Sequence, residues 1–424
     1  MIAEKTNTAQ TIIDKISSTA SKINYMKDEV LSNALLNLEH NGLPTNKRED
    51  YKYCNLDAVI KKEFKNITQQ FRPVQSIDEY KMQDTITLVV ENGNYSETLS
   101  DKVVLNGIHI SKLSSLDEET KNIIGTLADV KSDAFIALNT AFSSDGFCVE
   151  IDKEIDFQIP IHILYISCSE SEAIVNTRNL ILLNENASAT IIEEQIVIGK
   201  GKVFTNYLSE KLILENAKLK CVTFQNESDL AYSVNTNQVK LNTAAHYENT
   251  TITLSGQVVR NNHNVVLAGQ NSEAHLNGIF SANNSQLIDN HTLIDHQVPN
   301  CESNELYKGI ANDKSTGVFN GKIFVRKDAQ KTNAYQSSKN ILLSDDATID
   351  TKPQLEIYAN DVKCSHGTST GKIDENALFY LNARGIGKET ARKMLLSSFA
   401  QEVIGKIEVE SLRDKITQLF ENKI

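Results

Sequence analysis

The sequence predicts a mainly β protein, with a parallel β-helix core flanked by N-terminal and C-terminal α-helical regions. Three observations carry that reading. From Phe147 to about Ile357, short runs of Val, Ile, Leu and Thr alternate with Asn, Asp, Ser and Gly, and hardly a helical period survives. Within that stretch an apolar run, a turn and an alanine recur: LILLNENA ends at Ala187, LILENA at Ala217, VKLNTA at Ala244 and VVLAGQNSEA at Ala274. A period near thirty residues suits stacked coils that cover one another's apolar faces, and favours a β-helix over a β-sandwich. At both ends of the chain, apolar residues return to three-and-four spacing.

The N-terminal region, residues 1–146, is expected to be helical or mixed. Ile12, Ile13 and Ile16, then Val30, Leu31, Ala34, Leu35 and Leu38, fall on one helix face over residues 8 to about 41, and Gly42-Leu43-Pro44 stops it. SDAFIALNTAF, residues 132–142, puts Phe135, Leu138 and Phe142 on one stripe before Asp145-Gly146 turns the chain.

The β-helix core is expected over residues 147–372. The next repeat match, ILLSDDA ending at Ala347, lies 73 residues past Ala274, so the repeat should be degraded or interrupted by an insertion there.

Residues 373–424 read as a helical bundle. Asp374 is a plausible N-cap for a helix with Ala377, Leu378 and Leu381, and Gly385-Ile386-Gly387 breaks it. Ala391, Leu395, Phe399 and Val403 follow at steps of four, and Leu412, Ile416, Leu419 and Phe420 mark a last helix. Such a bundle is too small to bury its own stripes, so it must pack on the β core or on another protein.

Composition narrows the partners. The 424 residues carry 43 Lys+Arg against 55 Asp+Glu, a net charge of −12, which argues against nucleic acid or an anionic membrane and for proteins or small molecules. A chain this long can bury a sizeable core without disulfides. The six cysteines (Cys54, Cys148, Cys168, Cys221, Cys301, Cys364) form no CxxC pair, as expected for a reducing cytosol. The first residues lack a basic segment followed by an apolar one, and no run approaches 18 apolar residues, so a soluble cytoplasmic protein is expected.

Five of the nine histidines (His246, His263, His275, His291, His296) fall within 51 residues of the β region. They could build a metal or cupin-like centre, or simply ladder along a polar face; a true site needs three or four side chains converging from neighbouring coils. There is no GxSxG elbow, GxxxxGK[ST] phosphate loop or HExxH, so any ATP used must be bound by another protein. The paired carboxylates of a β-helix polysaccharide enzyme would be hard to single out, and no pair does. DVKCSHGTSTG, residues 361–371, is more suggestive. In an extended strand Cys364 and His366 project from one face and Ser365 from the other. A thiolate and an imidazole suit iron or zinc, yet supply only half of a four-ligand site, and a structural cysteine beside a satisfied histidine fits the same pair.

The block from Asp295 to Val403, including DHQVPNCESNELYKGIANDKSTGVFNGKIFVRKDAQKTNAYQSSKNILLSDDATIDTKPQLEIYANDVKCSHGTSTG and LFYLNARGI, resembles the C-terminal half of the SufB/SufD family, scaffold proteins of the Suf system of iron–sulfur cluster assembly. NGLPTNKREDYKYCNLD (residues 41–57) resembles the family's N-terminal signature, with Tyr51 where Trp is common, and ALNTAFSSDGF (residues 137–147) resembles the start of its β core. The resemblance implies a right-handed parallel β-helix. The Cys-Ser-His-Gly at 364–367 is of the SufD type, the chain is short for SufB, and the cysteine that SufB carries near the turn matching Ser344–Ala347 is missing.

By that resemblance the chain is a non-catalytic, SufD-like subunit of a SufBCD complex. A transient iron–sulfur cluster is shared with SufB across a heterodimer interface, His366 is the ligand and Cys364 a weaker one. Partners are a SufB-like paralogue and a SufC-like ATPase docked on about residues 374–424, with a homodimer also possible, and no nucleotide is bound by this chain. Two alternatives stand beside it: a β-helix enzyme acting on polysaccharide, and a SufB-like principal scaffold, which would need a persulfide-accepting cysteine, for which Cys221 and Cys301 can be proposed.

Overall fold

The computed structural model describes residues 25–103 and 105–424. Ile12, Ile13 and Ile16 lie outside the described residues. The first helix described, α1 (Asp28–Asn41), starts after an extended Lys27 and ends at Gly42, whose N–H returns to the Leu38 carbonyl. Ala34 and Leu38 are buried as expected, whereas Leu35 is 47% exposed because it sits on the far side of the helix. A second helix, α2 (Leu56–Glu63), is capped by the Asn55 side chain, which accepts from the Ala58 N–H. A four-residue helix, α3 (Glu118–Lys121), and α4 (Ala134–Phe142) complete this region. The Asp133 carboxylate caps α4 by accepting from the Phe135 N–H. Asn139 on that helix donates to the carbonyls of Thr177 and Asn206, which fastens the helix to the β core.

Two sheets of ten and nine strands form that core. Three strands precede residue 147: β1 (Ile86–Glu91), β2 (Asn94–Tyr95) and β3 (Ile108–Lys112). The apolar run of β1 pairs in parallel with the first sheet, and β3 pairs antiparallel with β4 (Phe147–Ile151) of the second. From there the chain alternates strictly between sheets. The first holds β5 (Ile161–Ser169), β7 (Ser188–Gly199), β9 (Lys218–Asn226), β11 (His246–Ser255), β13 (Glu273–Ala282), β15 (Glu302–Ala311), β17 (Thr332–Leu342) and β19 (Val362–Gly371). The second holds β6 (Ala173–Leu183), β8 (Val203–Ile213), β10 (Ala231–Leu241), β12 (Val258–Leu267), β14 (Leu287–His296), β16 (Thr316–Val325) and β18 (Thr348–Ile357). Every pairing within these two series is parallel, the hallmark of a solenoid.

The coil length follows from the register. Ser188 pairs with Lys218, Lys218 with His246, His246 with Glu273, Glu273 with Glu302 and Glu302 with Asn333, steps of 30, 28, 27, 29 and 31 residues. The expected interruption between Ala274 and Ala347 is therefore absent. A repeated turn explains why. Asn186, Asn216, Ala244, Asn271, Asn300 and Lys331 all have positive φ, and each immediately precedes a buried Ala187, Ala217, Ala245, Ser272, Cys301 or Thr332. The buried member of the third turn is Ala245 rather than Ala244, and Ser, Cys and Thr replace alanine later, so counting alanines lost the period. Ala274 lies within β13, opposite Tyr247, and Ala347 precedes β18 in the other sheet.

Inside the coils, Leu183, Ile213, Leu241, Leu267, His296 and Val325 stack in register and are fully buried. The neighbouring column, Ile181, Lys211, Val239, Val265, Ile294 and Ile323, contains a buried ammonium, which Glu193 and Asn237 hold at 2.9 and 2.6 Å. Arg178 is likewise fully buried and held by Glu210, whose carboxylate also accepts from the N–H groups of Gly125 and Leu127.

The C-terminal stripes settle on the β core. Helix α5 (Glu375–Ala383) is capped by Asp374, which accepts from the N–H groups of Asn376 and Ala377, and Gly385 at φ +86° ends it. Helices α6 (Lys388–Ile404) and α7 (Glu410–Lys423) bury Leu396, Ala400, Val403, Ile404, Leu412, Ile416 and Phe420 against Ile192, Val222, Phe224, Ile252, Leu254, Ile279 and Ile310 on the outer face of the first sheet. Each large side chain buried this way is worth about 1.5–3 kcal/mol of transfer free energy. Lys415 to Glu194 at 2.7 Å, and Lys308 to the Phe399 carbonyl at 2.7 Å, fix the docking angle. No described helix is long and apolar enough to cross a membrane.

Candidate functional site

The last coil is where the sequence placed its site. In the β17–β19 ladder Cys364 lies opposite Ala334 and His366 opposite Gln336. Ala334 and Gln336 are buried, while Tyr335 between them faces out, so Cys364 and His366 occupy inward-facing positions and Ser365 an outward one. No further coil covers them among the described residues: β19 ends one sheet and β18 ends the other. His366 is consequently exposed although its position is an interior one.

No hydrogen bond engages the His366 ring among the described residues. Beneath it, the Gln336 amide donates to the buried Glu305 carboxylate, whose protonation burial pushes up to about 7. Cys364 has a different environment. It is half-buried among Ile323, Val325, Ala329, Ala334 and Ala359, and burial raises its thiol above the usual cysteine range. Two strand positions on one face are about 6.6 Å apart at the backbone, and no hydrogen bond joins the Cys364 and His366 side chains among the described residues. The hydroxyl of Thr368 donates to that of Thr351 at 3.1 Å and closes the coil across the two edge strands.

Both edge strands are ten residues long, and Tyr335, Ile357 and Tyr358 stand exposed beside them. Unpaired edges of this length are templates for pairing with another chain, and native proteins do not leave them open without a use.

The other cysteines are internal. Cys54, Cys148, Cys168, Cys221 and Cys301 are buried free thiols. Burial pushes Cys221 up to about 12, and Cys301 is packed into the turn stack with its Sγ 3.4 Å from the Gly269 carbonyl. Neither is an accessible thiolate.

The five clustered histidines divide three ways. His263 and His296 are buried in the solenoid, where desolvation holds them down at about 3 and about 4. His291 belongs to a buried cluster with Asp289 and Arg260. His246 and His275 stand on the outer face of the first sheet, with Glu273 beside both. Sequence reasoning named those two histidines and missed Glu273. The parallel register is the missing signal, because it sets Glu273 directly opposite His246.

Helix α5 was expected, but the exposed aromatic pair on it was not. It buries no residue, and Phe379 and Tyr380 on it are 75% and 57% exposed, with Met394 of α6 at 47%. An adjacent Phe-Tyr pair out of phase with Ala377, Leu378 and Leu381 was the available signal.

Comparison with known proteins agrees with this architecture. Residues 165–399 match the family described as "SUF system FeS cluster assembly, SufBD core domain", and residues 7–163 match the "SufBD protein N-terminal region". The iron–sulfur cluster assembly protein SufD of Escherichia coli is 30% identical over 90% of this chain and 89% of its own length. Protein ABCI7, chloroplastic, of Arabidopsis thaliana is 30% identical over 88% of this chain and 81% of its own, and SufD of Bacillus subtilis is 27% identical over 78% and 76%.

Proposed function

This chain belongs to the SufB/SufD family and takes part in iron–sulfur cluster assembly, and on that premise we propose that it is the SufD-like scaffold subunit of a SufBCD-type complex. One observation carries the reading: an exposed imidazole, His366, with no hydrogen-bond partner among the described residues, on a ten-residue edge strand. A SufB-like paralogue adding its own solenoid end to β18 and β19 would extend both sheets, satisfy their free backbone groups and enclose His366 between two chains. The cluster under construction is cargo there. Neutral His366 donates a nitrogen lone pair to iron, the partner supplies the remaining ligands, and Cys364 stands nearby as a weaker, mostly protonated donor.

The energy enters through another subunit. In this reading the exposed Phe379, Tyr380 and Met394 receive a SufC-like ATPase, while α6 and α7, anchored on the first sheet, pass its motion to the solenoid. Buried, protonated Cys221 and Cys301 disfavour the alternative role of principal scaffold, which needs a reactive thiolate.

Affinity purification of the tagged full chain from native cells tests the assignment. A longer SufB-type paralogue and a transporter-type ATPase should co-elute. Recovery of the chain alone, or only as a homodimer, overturns it.

A further inference from the structure

Far from the open end, the outer face of the first sheet carries a second constellation. His246 on β11 and Glu273 on β13 are direct register partners, and His275 is two residues along β13 on the same face. His246 Nδ1 lies 3.2 Å from Glu273 Oε2, His275 Nε2 lies 4.0 Å from the same oxygen, and the two imidazole centroids are 5.3 Å apart. One ligand atom from each side chain falls within 4.8 Å of the other two. This is convergence from neighbouring coils, the condition that separates a ligand set from a histidine ladder.

We infer that His246, Glu273 and His275 form a surface site for a divalent first-row transition ion, with two imidazole nitrogens and one carboxylate oxygen as ligands and the remaining positions open to water. Two nitrogens and an oxygen suit Zn2+ or Fe2+, with metal–ligand distances of about 2.0–2.2 Å that side-chain rotation alone can reach from the present spacing. Mg2+ prefers oxygen ligands alone. The backbone beneath is preorganised, because β11 is paired on both sides, by β9 and β13, and so is β13, by β11 and β15. The groups around the site are Lys218 and Lys220 on β9, Glu248 on β11, Glu302 and Asn304 on β15, and Lys406 after α6. Glu302 accepts from the Asn333 amide at 2.9 Å, whereas Glu248, opposite His275, accepts only a 3.5 Å contact from the Asn277 amide and is the more available carboxylate. The site lies three to four strands from β19, about 14–19 Å away at the usual strand spacing, and does not depend on the role of His366.

Calorimetric titration of ZnCl2 into the full chain carrying H366A and C364A isolates this site. One equivalent should bind saturably and resist competition by Mg2+. Outer-shell changes alone cost about tenfold to a hundredfold in metal affinity, so removing a ligand in H246A or H275Q should cost about a hundredfold or more. Co2+ gives the second readout: visible d–d bands should appear in the parent and weaken or shift in E273Q. Absence of saturable binding, or Zn2+ affinity and Co2+ bands that the three substitutions leave unchanged, would overturn the site.

Discussion

Gln336 sits directly opposite His366 in the last ladder of the solenoid and hands its amide to Glu305 one coil deeper. The exposed imidazole thus rests on a buried polar column. Gln336→Leu removes a donor from a carboxyl that cannot reach water, and an unsatisfied buried group costs about 1–3 kcal/mol. Urea denaturation should show a loss of that size. A stability equal to that of the parent would mean that Glu305 does not rely on Gln336.

Glu227 makes stability pH-dependent. Its carboxyl is buried, no partner engages either oxygen among the described residues, and desolvation raises its protonation from 4.5 to about 8. Between these values the folded chain keeps a proton that the unfolded chain releases, so stability falls as pH rises from about 4.5 to about 8 and the loss is complete above that. Glu227→Gln should flatten this part of the profile and gain on the order of a few kcal/mol near pH 9 relative to the parent. Parallel stability–pH curves for the two proteins would count against it.

Ala244 occupies the left-handed turn position that Asn fills at 186, 216, 271 and 300. That conformation costs a non-glycine residue roughly 1–2 kcal/mol, less for Asn, whose side chain bonds locally. Ala244→Asn should therefore stabilise the chain by about 0.5–1 kcal/mol. A lower denaturation midpoint would contradict the turn assignment.

The C-terminal helices should separate stability from partner binding. Leu396→Ala or Phe420→Ala opens a cavity between helix and sheet and should cost about 2–5 kcal/mol. Phe379→Ser with Tyr380→Ser alters only exposed rings, so stability should move by less than about 0.5 kcal/mol. The same pair of changes should abolish co-purification of the ATPase, and retention of that subunit would place its docking surface elsewhere.

Much of the fold was legible. The β texture and the three-and-four spacing located the solenoid and the terminal helices, and Asp374 and Gly385 marked the limits of α5 correctly. The coil count was not, because the signal was not alanine itself. It was a left-handed residue followed by any small buried one, and Ser272, Cys301 and Thr332 satisfy that as well as Ala187 does. Strand alternation correctly set Cys364 and His366 on one face. It carried no information on whether that face was covered, since this depends on β19 being the last strand. Glu273 escaped notice for a related reason: its partner is 27 residues away in sequence and adjacent only once the register is known.

The most direct test of the central claim is cluster formation by the assembled complex containing His366→Ala, reconstituted anaerobically with iron and a sulfur donor and read by visible absorption. Complex stoichiometry should match the parent, because the ring makes no hydrogen bond among the described residues, while cluster yield should fall several-fold. A full cluster yield from the intact variant complex would contradict the account.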